Sequence, residues 1–189
     1  MVNLSLFTVK AVIILDGEGK RLYSKYFHAP HEPTSPDSLA GSSKKQKGFE
    51  SNLFNKTHGQ NADIMVLNDH LVLYREYVDV SLYLIGGIDE NELVLQEAFN
   101  GLKDALELIL DTGIDKRNIQ EHYDMVVLAV DEFIDDGIIL ETDPATIASR
   151  VTKPPSKDIP LNIELSEKGL LSAWGFAKSK LAERLQQGL

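Results

Sequence analysis

The stretch V-K-A-V-I-I-L, residues Val9 to Leu15, gives the clearest indication of the architecture. Val12 to Leu15 are apolar at four consecutive positions, and so are Leu82 to Ile85 in L-Y-L-I. Successive side chains of a strand point to opposite faces of its sheet, so a continuous apolar run requires cover on both faces. The two runs therefore predict strands in a sheet that is sandwiched between helices.

Further strands follow from short segments rich in β-branched and aromatic residues. Arg21 to Phe27 follows Val9 to Leu15 after Asp16-Gly17-Glu18-Gly19, which is typical of a β-hairpin. Asp63 to Leu67, Leu71 to Tyr77 and Val80 to Ile85 form three closely spaced candidates. The sequence thus predicts five strands that include an antiparallel meander.

Helical periodicity marks the segments around these strands. Lys44 to His58 is predicted to be a helix with a narrow apolar stripe. Asp89 to Leu110 is predicted to be a helix with a broad apolar stripe, and Asp89 is its predicted N-terminal cap. Arg117 to Ile134 is predicted as one helix that ends at a left-handed Gly137. Asp143-Pro144 predicts a capped short helix to about Val151. The fold class is α/β in the α+β sense, with a five-stranded antiparallel sheet between helices.

Lys153-Pro154-Pro155 interrupts both patterns and predicts a domain boundary, with one domain at 1–152 and a linker plus helix at 153–189. The proline-rich segment 30–43 is predicted to be a flexible loop. After Ser166 an amphipathic face recurs at helical spacing. This tail helix could pack on its own protein or a neighbouring subunit, bind a membrane surface, or remain unfolded. Its candidate binding residues are Leu170, Trp174, Leu181 and Leu185.

Composition restricts the class of protein. The formal charge of −10 disfavours non-specific binding of the body of the protein to nucleic acid or anionic lipid. The chain has no cysteine, which excludes disulfides, thiolate metal sites and a cysteine nucleophile. We see neither a secretory signal pattern nor 18 consecutive apolar residues, so we expect a cytosolic protein.

No catalytic, cofactor-binding or metal-binding residue is predicted. Gly17-Glu18-Gly19-Lys20 lacks the glycine spacing and the following helix of a phosphate-binding loop, so a hairpin turn is the better interpretation. His28 and His31 are three residues apart but lie in the proline-rich segment without an obvious carboxylate partner.

Four carboxylates crowd the predicted helix exit in D-E-F-I-D-D-G, where the helix dipole disfavours negative charge. They could form a solvated acidic surface, dock a basic partner, or support acid–base chemistry if burial separated their pKa values. We select them as candidate partner-binding residues: Asp131, Glu132, Asp135 and Asp136.

Three segments together resemble the zeta subunits of coatomer, which are related to the small (sigma) subunits of clathrin adaptors. They are K-K-Q-K-G-F-E-S-N-L-F-N-K-T from Lys44, I-G-G-I-D-E-N-E-L-V-L from Ile85 and V-D-E-F-I-D-D-G-I-I-L-E-T-D-P from Val130. The resemblance covers most of Leu6 to Val151. It implies a longin-like fold and a non-enzymatic subunit of the COPI vesicle coat.

The same resemblance implies the partners and the location. Such a subunit pairs with the coatomer gamma subunit, and an Arf-type GTPase recruits the coat to the cytosolic face of Golgi membranes for retrograde transport to the endoplasmic reticulum. A clathrin-adaptor sigma-type subunit that recognises cargo signals is the alternative within the class. A longin-type fusion protein would need a heptad-rich segment and a membrane anchor, for which about 35 residues after the domain leave no room.

Overall fold

The computed structural model describes residues 5–30, 39–60 and 62–152, which belong to a compact unit of residues 1–153. Five strands form one sheet: β1 (Val9–Asp16), β2 (Arg21–Tyr26), β3 (Ile64–Leu67), β4 (His70–Glu76) and β5 (Val80–Gly87). Their order is β2-β1-β5-β4-β3, and every neighbouring pair is antiparallel. The predicted meander is therefore β3-β4-β5, while the β1-β2 hairpin joins it through β1 and β5.

The two central strands confirm the prediction from their apolar runs. Ile13 pairs with Tyr83 and both side chains join a core on one face, whereas Val12 pairs with Leu84 and both join a larger core on the other face. Both strands are buried along almost their whole length. The alternation of the two faces thus explains why consecutive apolar residues are required.

Helix α1 (Ser43–Thr57) covers the face with the smaller core, into which it buries Phe49 and Leu53. Its bounds agree with the predicted Lys44 to His58. A short 3-10 turn, Leu39–Gly41, precedes it. Residues 31–38 of the predicted 30–43 loop, which include His31, lie outside the described residues.

The other face is covered by α2 (Glu92–Leu110), α4 (Tyr123–Phe133) and α5 (Pro144–Thr152), with α3 (Lys116–Glu121) before α4. The predicted stripe of α2 is buried in full: Leu95, Phe99, Leu102, Leu106 and Ile109. The predicted cap at Asp143 is confirmed, since Asp143 Oδ2 accepts a hydrogen bond from Thr146 N at 2.8 Å.

Two predicted helix boundaries are wrong. Asn91 caps α2 instead of Asp89, because its side chain accepts hydrogen bonds from the backbone N–H groups of Leu93 and Val94. The predicted single helix from Arg117 to Ile134 is two helices that are broken at His122, whose φ of −119° and ψ of 34° are not helical. No glycine or proline marks this break, so periodicity alone does not detect it.

Candidate interaction surfaces

The acidic segment after α4 is a tight β-hairpin rather than a helix exit. β6 (Ile134–Asp135) pairs with β7 (Ile138–Ile139), and Asp136 and Gly137 between them have φ values of 46° and 90°. Positive φ at both central residues is typical of a type I′ turn, for which Asp-Gly is a preferred sequence. The predicted role of Gly137 as a helix terminator is therefore wrong: the helix ends at Phe133, and Gly137 turns a hairpin.

Gly137 also fixes the hairpin to the sheet. Its carbonyl oxygen accepts a hydrogen bond from Val9 N at 3.0 Å, and a Cβ at this position would lie 2.6 Å from Val9 O. The acidic turn is thus held against the start of β1.

The four candidate carboxylates divide into two pairs with different surroundings. Asp131 forms an ion pair with Lys25 of β2 at 2.7 Å, and Glu132 forms one with Arg150 of α5. Asp135 and Asp136 are exposed at the hairpin, and within the described parts of the chain no basic group lies within 4.0 Å of them. Asp131 and Glu132 therefore have structural partners. Asp136 suits the type I′ turn, so Asp135 is the one of the four acids for which folding gives no reason, and the carboxylates of both Asp135 and Asp136 remain available to a partner.

The outward side of the helical layer also exposes apolar side chains. Leu93 at the start of α2 is 80% exposed, and Leu108 on α2, Leu128 on α4 and Leu140 after β7 are more than half exposed. Sequence reasoning missed them because it searched for the buried stripe. The sequence does contain a signal for them: these leucines lie outside the helical spacing of the buried stripe.

Strand β3 is an edge of the sheet. Val66 and Ile64 pair with Leu71 and Leu73 of β4 and so lie on the face of the larger core, yet Val66 is 56% exposed. Among the described strands none pairs with the outer side of β3. An uncovered edge with exposed apolar residues is a surface on which another chain can pack.

The α1 side of the molecule has a different character. Arg21 forms an ion pair with the buried carboxylate of Glu50 at 2.6 Å, and Tyr26 Oη donates to the same carboxylate at 2.7 Å. Burial, together with this hydrogen bond to a carboxylate, raises the pKa of Tyr26, so it stays protonated. A cavity of about 370 Å³ beside this pair is lined by Gly19, Lys20, Arg21, Lys47, Glu50 and Ser51.

The turn at Asp16 to Lys20 is a hairpin turn, as predicted. Asp16 Oδ1 accepts hydrogen bonds from the backbone N–H groups of Glu18 and Lys20, and strand β2 follows. The second oxygen, Asp16 Oδ2, accepts from Lys116 Nζ at 2.9 Å. Burial on its own would raise the pKa of Asp16, but these hydrogen bonds outweigh it and hold the pKa below its usual value.

Other chemistry has little support in the described residues. Among residues 5–30, 39–60 and 62–152, no three His, Asp or Glu side chains are placed to hold a metal ion. None of the helices in these segments is both long and apolar enough to cross a bilayer. The predicted tail residues Leu170, Trp174, Leu181 and Leu185 lie outside the described residues.

Comparison with known proteins places the chain in a family. The family model described as clathrin adaptor complex small chain matches residues 8–157. The chain is 56% identical to the coatomer subunit zeta of Saccharomyces cerevisiae, with 100% of both chains covered. It is 40% identical to the coatomer subunit zeta-1 of Homo sapiens, with 89% of this chain and 90% of that one covered.

A solved structure supports the fold alone. The homology model of the full-length AP-3 complex in a stretched open conformation contains a chain that matches with a TM-score of 0.55 at 16% identity, over 91% of this chain and 98% of that chain. The sequence relatives are much closer, and the match to the yeast subunit extends through the tail after Pro155. The chain therefore belongs to the coatomer zeta subunits, within the family of clathrin adaptor complex small chains.

Proposed function

We propose that this chain is a non-enzymatic structural subunit of the COPI vesicle coat and that it pairs with the coatomer gamma subunit. The observation that carries the proposal is the 56% identity to a coatomer zeta subunit over the whole of both chains. The buried apolar side chains of the described residues form two packed cores. The features that folding does not explain lie at the surface. A coat subunit acts through its surface, in agreement with this arrangement.

The uncovered edge strand and the outward helical layer support a large partner. A stable subunit interface buries upward of about 2,000 Å² and is more apolar than an ordinary surface. Val66 on β3 and Leu93, Leu108 and Leu128 on the helices are the exposed apolar groups that such an interface would cover. We assign the gamma partner to these elements.

Asp135 and Asp136 are proposed to meet a basic surface of a partner. The Asp136-Gly137 turn holds them in a fixed position, and neither is used by an ion pair of the described residues. In this proposal Asp131 and Glu132 have a structural role, because their ion pairs with Lys25 and Arg150 connect α4 to β2 and α5.

The tail and the membrane complete the proposal. The tail residues Leu170, Trp174, Leu181 and Leu185 are proposed to contribute to partner binding, and deletion of 156–189 that leaves stability and coat assembly unchanged would refute this. The assembled coat lies on the cytosolic face of Golgi membranes, to which an Arf-type GTPase recruits it, so the GTPase is an indirect partner of this chain. We propose no role in nucleic-acid binding.

Co-expression tests the pairing. The chain expressed with a gamma-type subunit is expected to form a soluble complex of one copy of each, whereas the chain alone is expected to be poorly soluble. The substitution pair Asp135→Lys/Asp136→Lys should weaken the complex, and the matched pair Glu18→Lys/Glu121→Lys, which reverses two exposed acids outside β3, α2 and α4, should not. A soluble monomer that ignores the gamma-type subunit would refute the proposal.

A sigma-type clathrin-adaptor subunit is the second candidate. The description of the matching family model and the fold of the AP-3 chain favour it. Capture of an adaptor large chain in place of coatomer subunits would establish it.

A further inference from the structure

Charge is distributed unevenly along the chain. Residues 1–60, which include β1, β2 and α1, carry eight basic and five acidic residues. Residues 61–152, which include the whole helical layer of the other face, carry five basic and twenty acidic residues. The net charge of −10 thus conceals a net basic first part, whose helix α1 forms the basic side of the molecule, and a strongly acidic second part, whose helices form the acidic side.

The basic side has a defined solvent-facing surface on α1. Residues at spacings of three and four along a helix share a face, so Lys44, Lys47, Gly48, Ser51 and Asn55 lie side by side; we call this surface the lysine face. All five are exposed. The opposite side of α1 carries the buried Phe49, Leu53 and Thr57.

The lysine charges are not used by the fold. Lys44 and Lys47 have no carboxylate of the described residues within ion-pair distance, whereas Arg21 is neutralised by Glu50 and the exposed Lys20 by Glu18. Lys44 also lies in the first turn of α1, where the helix dipole makes a positive charge unfavourable. α1 has no acidic residue in that turn and no side-chain cap at Ser42. Its own stability therefore does not explain the lysines.

Gly48 is a second unexplained feature of the same face. A glycine inside a helix is less favourable than alanine by about 0.5–1 kcal/mol, yet no atom lies within 4 Å of where its Cβ would be. Packing within the chain therefore does not require this glycine. A small residue next to Lys47 and one turn after Lys44 does allow an external surface to approach the helix closely.

We propose that the lysine face binds the anionic headgroups of a lipid bilayer; this inference rests on the proposed coat function. Protein interfaces are depleted in lysine and are anchored by aromatic or other large side chains, and α1 exposes no large apolar residue. Clusters of lysine are instead attracted to the negative cytosolic leaflet. A cavity of about 370 Å³ lies beside the face, and Lys47 lines it together with Glu50 and the ion-paired Lys20 and Arg21.

The acidic side does not cancel this attraction. The sheet and both cores separate α1 from the helical layer, and charges further apart than a Debye length of about 8 Å at physiological ionic strength are largely screened. A bilayer on the α1 side therefore interacts mainly with the lysine face. The acidic helices remain available to basic protein partners.

The chain has no cysteine, so single labels test the proposal directly. An environment-sensitive dye is attached at Ser51→Cys on the lysine face and, in a separate sample, at Leu128→Cys on α4. Each labelled chain is kept soluble by fusion to a carrier protein and is tethered by a histidine tag to vesicles that contain nickel-chelating lipid, which raises its local concentration. Only the Ser51 label should respond when phosphatidylserine is added to phosphatidylcholine vesicles, and high salt should abolish the response.

Charge-reversal variants identify the residues. Each lysine near an anionic surface contributes about a fivefold gain in partition, so Lys44→Glu/Lys47→Glu should weaken binding to phosphatidylserine vesicles at least about 25-fold. The control Arg75→Glu/Arg117→Glu changes the net charge equally, and binding should fall much less. Equal losses for the two variants, or no preference for phosphatidylserine in the tethered assay, would overturn the proposal.

Partner capture separates this inference from the proposed function. If the Lys44→Glu/Lys47→Glu variant binds vesicles normally but loses a coat subunit, the lysine face meets an acidic protein and the lipid proposal is wrong. If the wild type captures coatomer subunits but never responds to phosphatidylserine, only the lipid proposal fails. If it captures no coatomer subunit, the proposed function itself fails.

Discussion

Helices α1 and α2 lie on opposite faces of one sheet, and each has a glycine in its interior. Gly101 of α2 is buried, and a Cβ there would overlap the carbonyl oxygen of Thr142, which lies just before α5. Gly48 of α1 is exposed with open space around it. The same residue type thus serves internal packing on one face and has no internal role on the other.

This difference extends to the two layers. The α2, α4 and α5 layer encloses the larger core and is held together by close helix contacts, so many of its residues are explained by folding. The α1 layer is a single helix over a smaller core, with a solvent face that folding does not explain. In our proposals the first layer contributes the larger core and the partner contact, and the α1 surface serves a separate external contact.

The largest expected effect is at the packed glycine. Gly101→Ala should lower the free energy of unfolding by about 1–3 kcal/mol, because the added methyl overlaps a backbone carbonyl that cannot rotate away. Urea unfolding followed by circular dichroism measures the change. A gain in stability would show that α2 and the segment before α5 are not in close contact.

Asp16→Asn tests the link between the β1-β2 hairpin and α3. Loss of the charged hydrogen bond to Lys116 should cost about 1–2 kcal/mol at neutral pH. The folded pKa of Asp16 is lowered, so its stabilising contribution is present above the usual carboxyl pKa of about 3.9 and is lost as pH falls through the lower folded value. The difference between wild type and variant should therefore shrink in acid; a constant difference would contradict the assigned charge.

Gly48→Ala is the matched counterpart of Gly101→Ala and should have the opposite sign. The free energy of unfolding should rise by about 0.5–1 kcal/mol, because alanine favours the helix and meets no atom. Destabilisation would mean that the α1 surface is packed within the chain. Normal stability with weaker binding to phosphatidylserine vesicles would support the external contact.

Asp131→Asn should have the smallest effect. Its ion pair with Lys25 joins two partly exposed side chains, 35% and 48% accessible, and such pairs contribute at most about 1 kcal/mol. The free energy of unfolding should change by no more than this amount. A larger loss would assign Asp131 a structural role beyond this pair.

The sequence predicted most of the fold because its signals are local. The double-sided apolar runs of β1 and β5 and the stripe of α2 follow from strand and helix periodicity, and all are confirmed. The Asp136-Gly137 hairpin was missed although Asp-Gly is a hairpin signal, because the preceding helix pattern appeared to run into it. The break at His122 has no comparable signal.

The interaction surfaces were less predictable because they depend on distant residues. The pairs Lys25–Asp131 and Glu132–Arg150 join different elements, and they separate two of the four clustered acids from the other two. Lys44 and Lys47 were visible in the sequence, but that no carboxylate of the described residues lies within ion-pair distance of them became apparent only when the positions of the carboxylates were known.

Native mass spectrometry of the complex captured on this chain tests the central claim most directly. The account predicts one copy of the chain bound to a gamma-type subunit, together with further subunits of coatomer. Recovery of the chain alone, or with a clathrin-adaptor large chain, would contradict it.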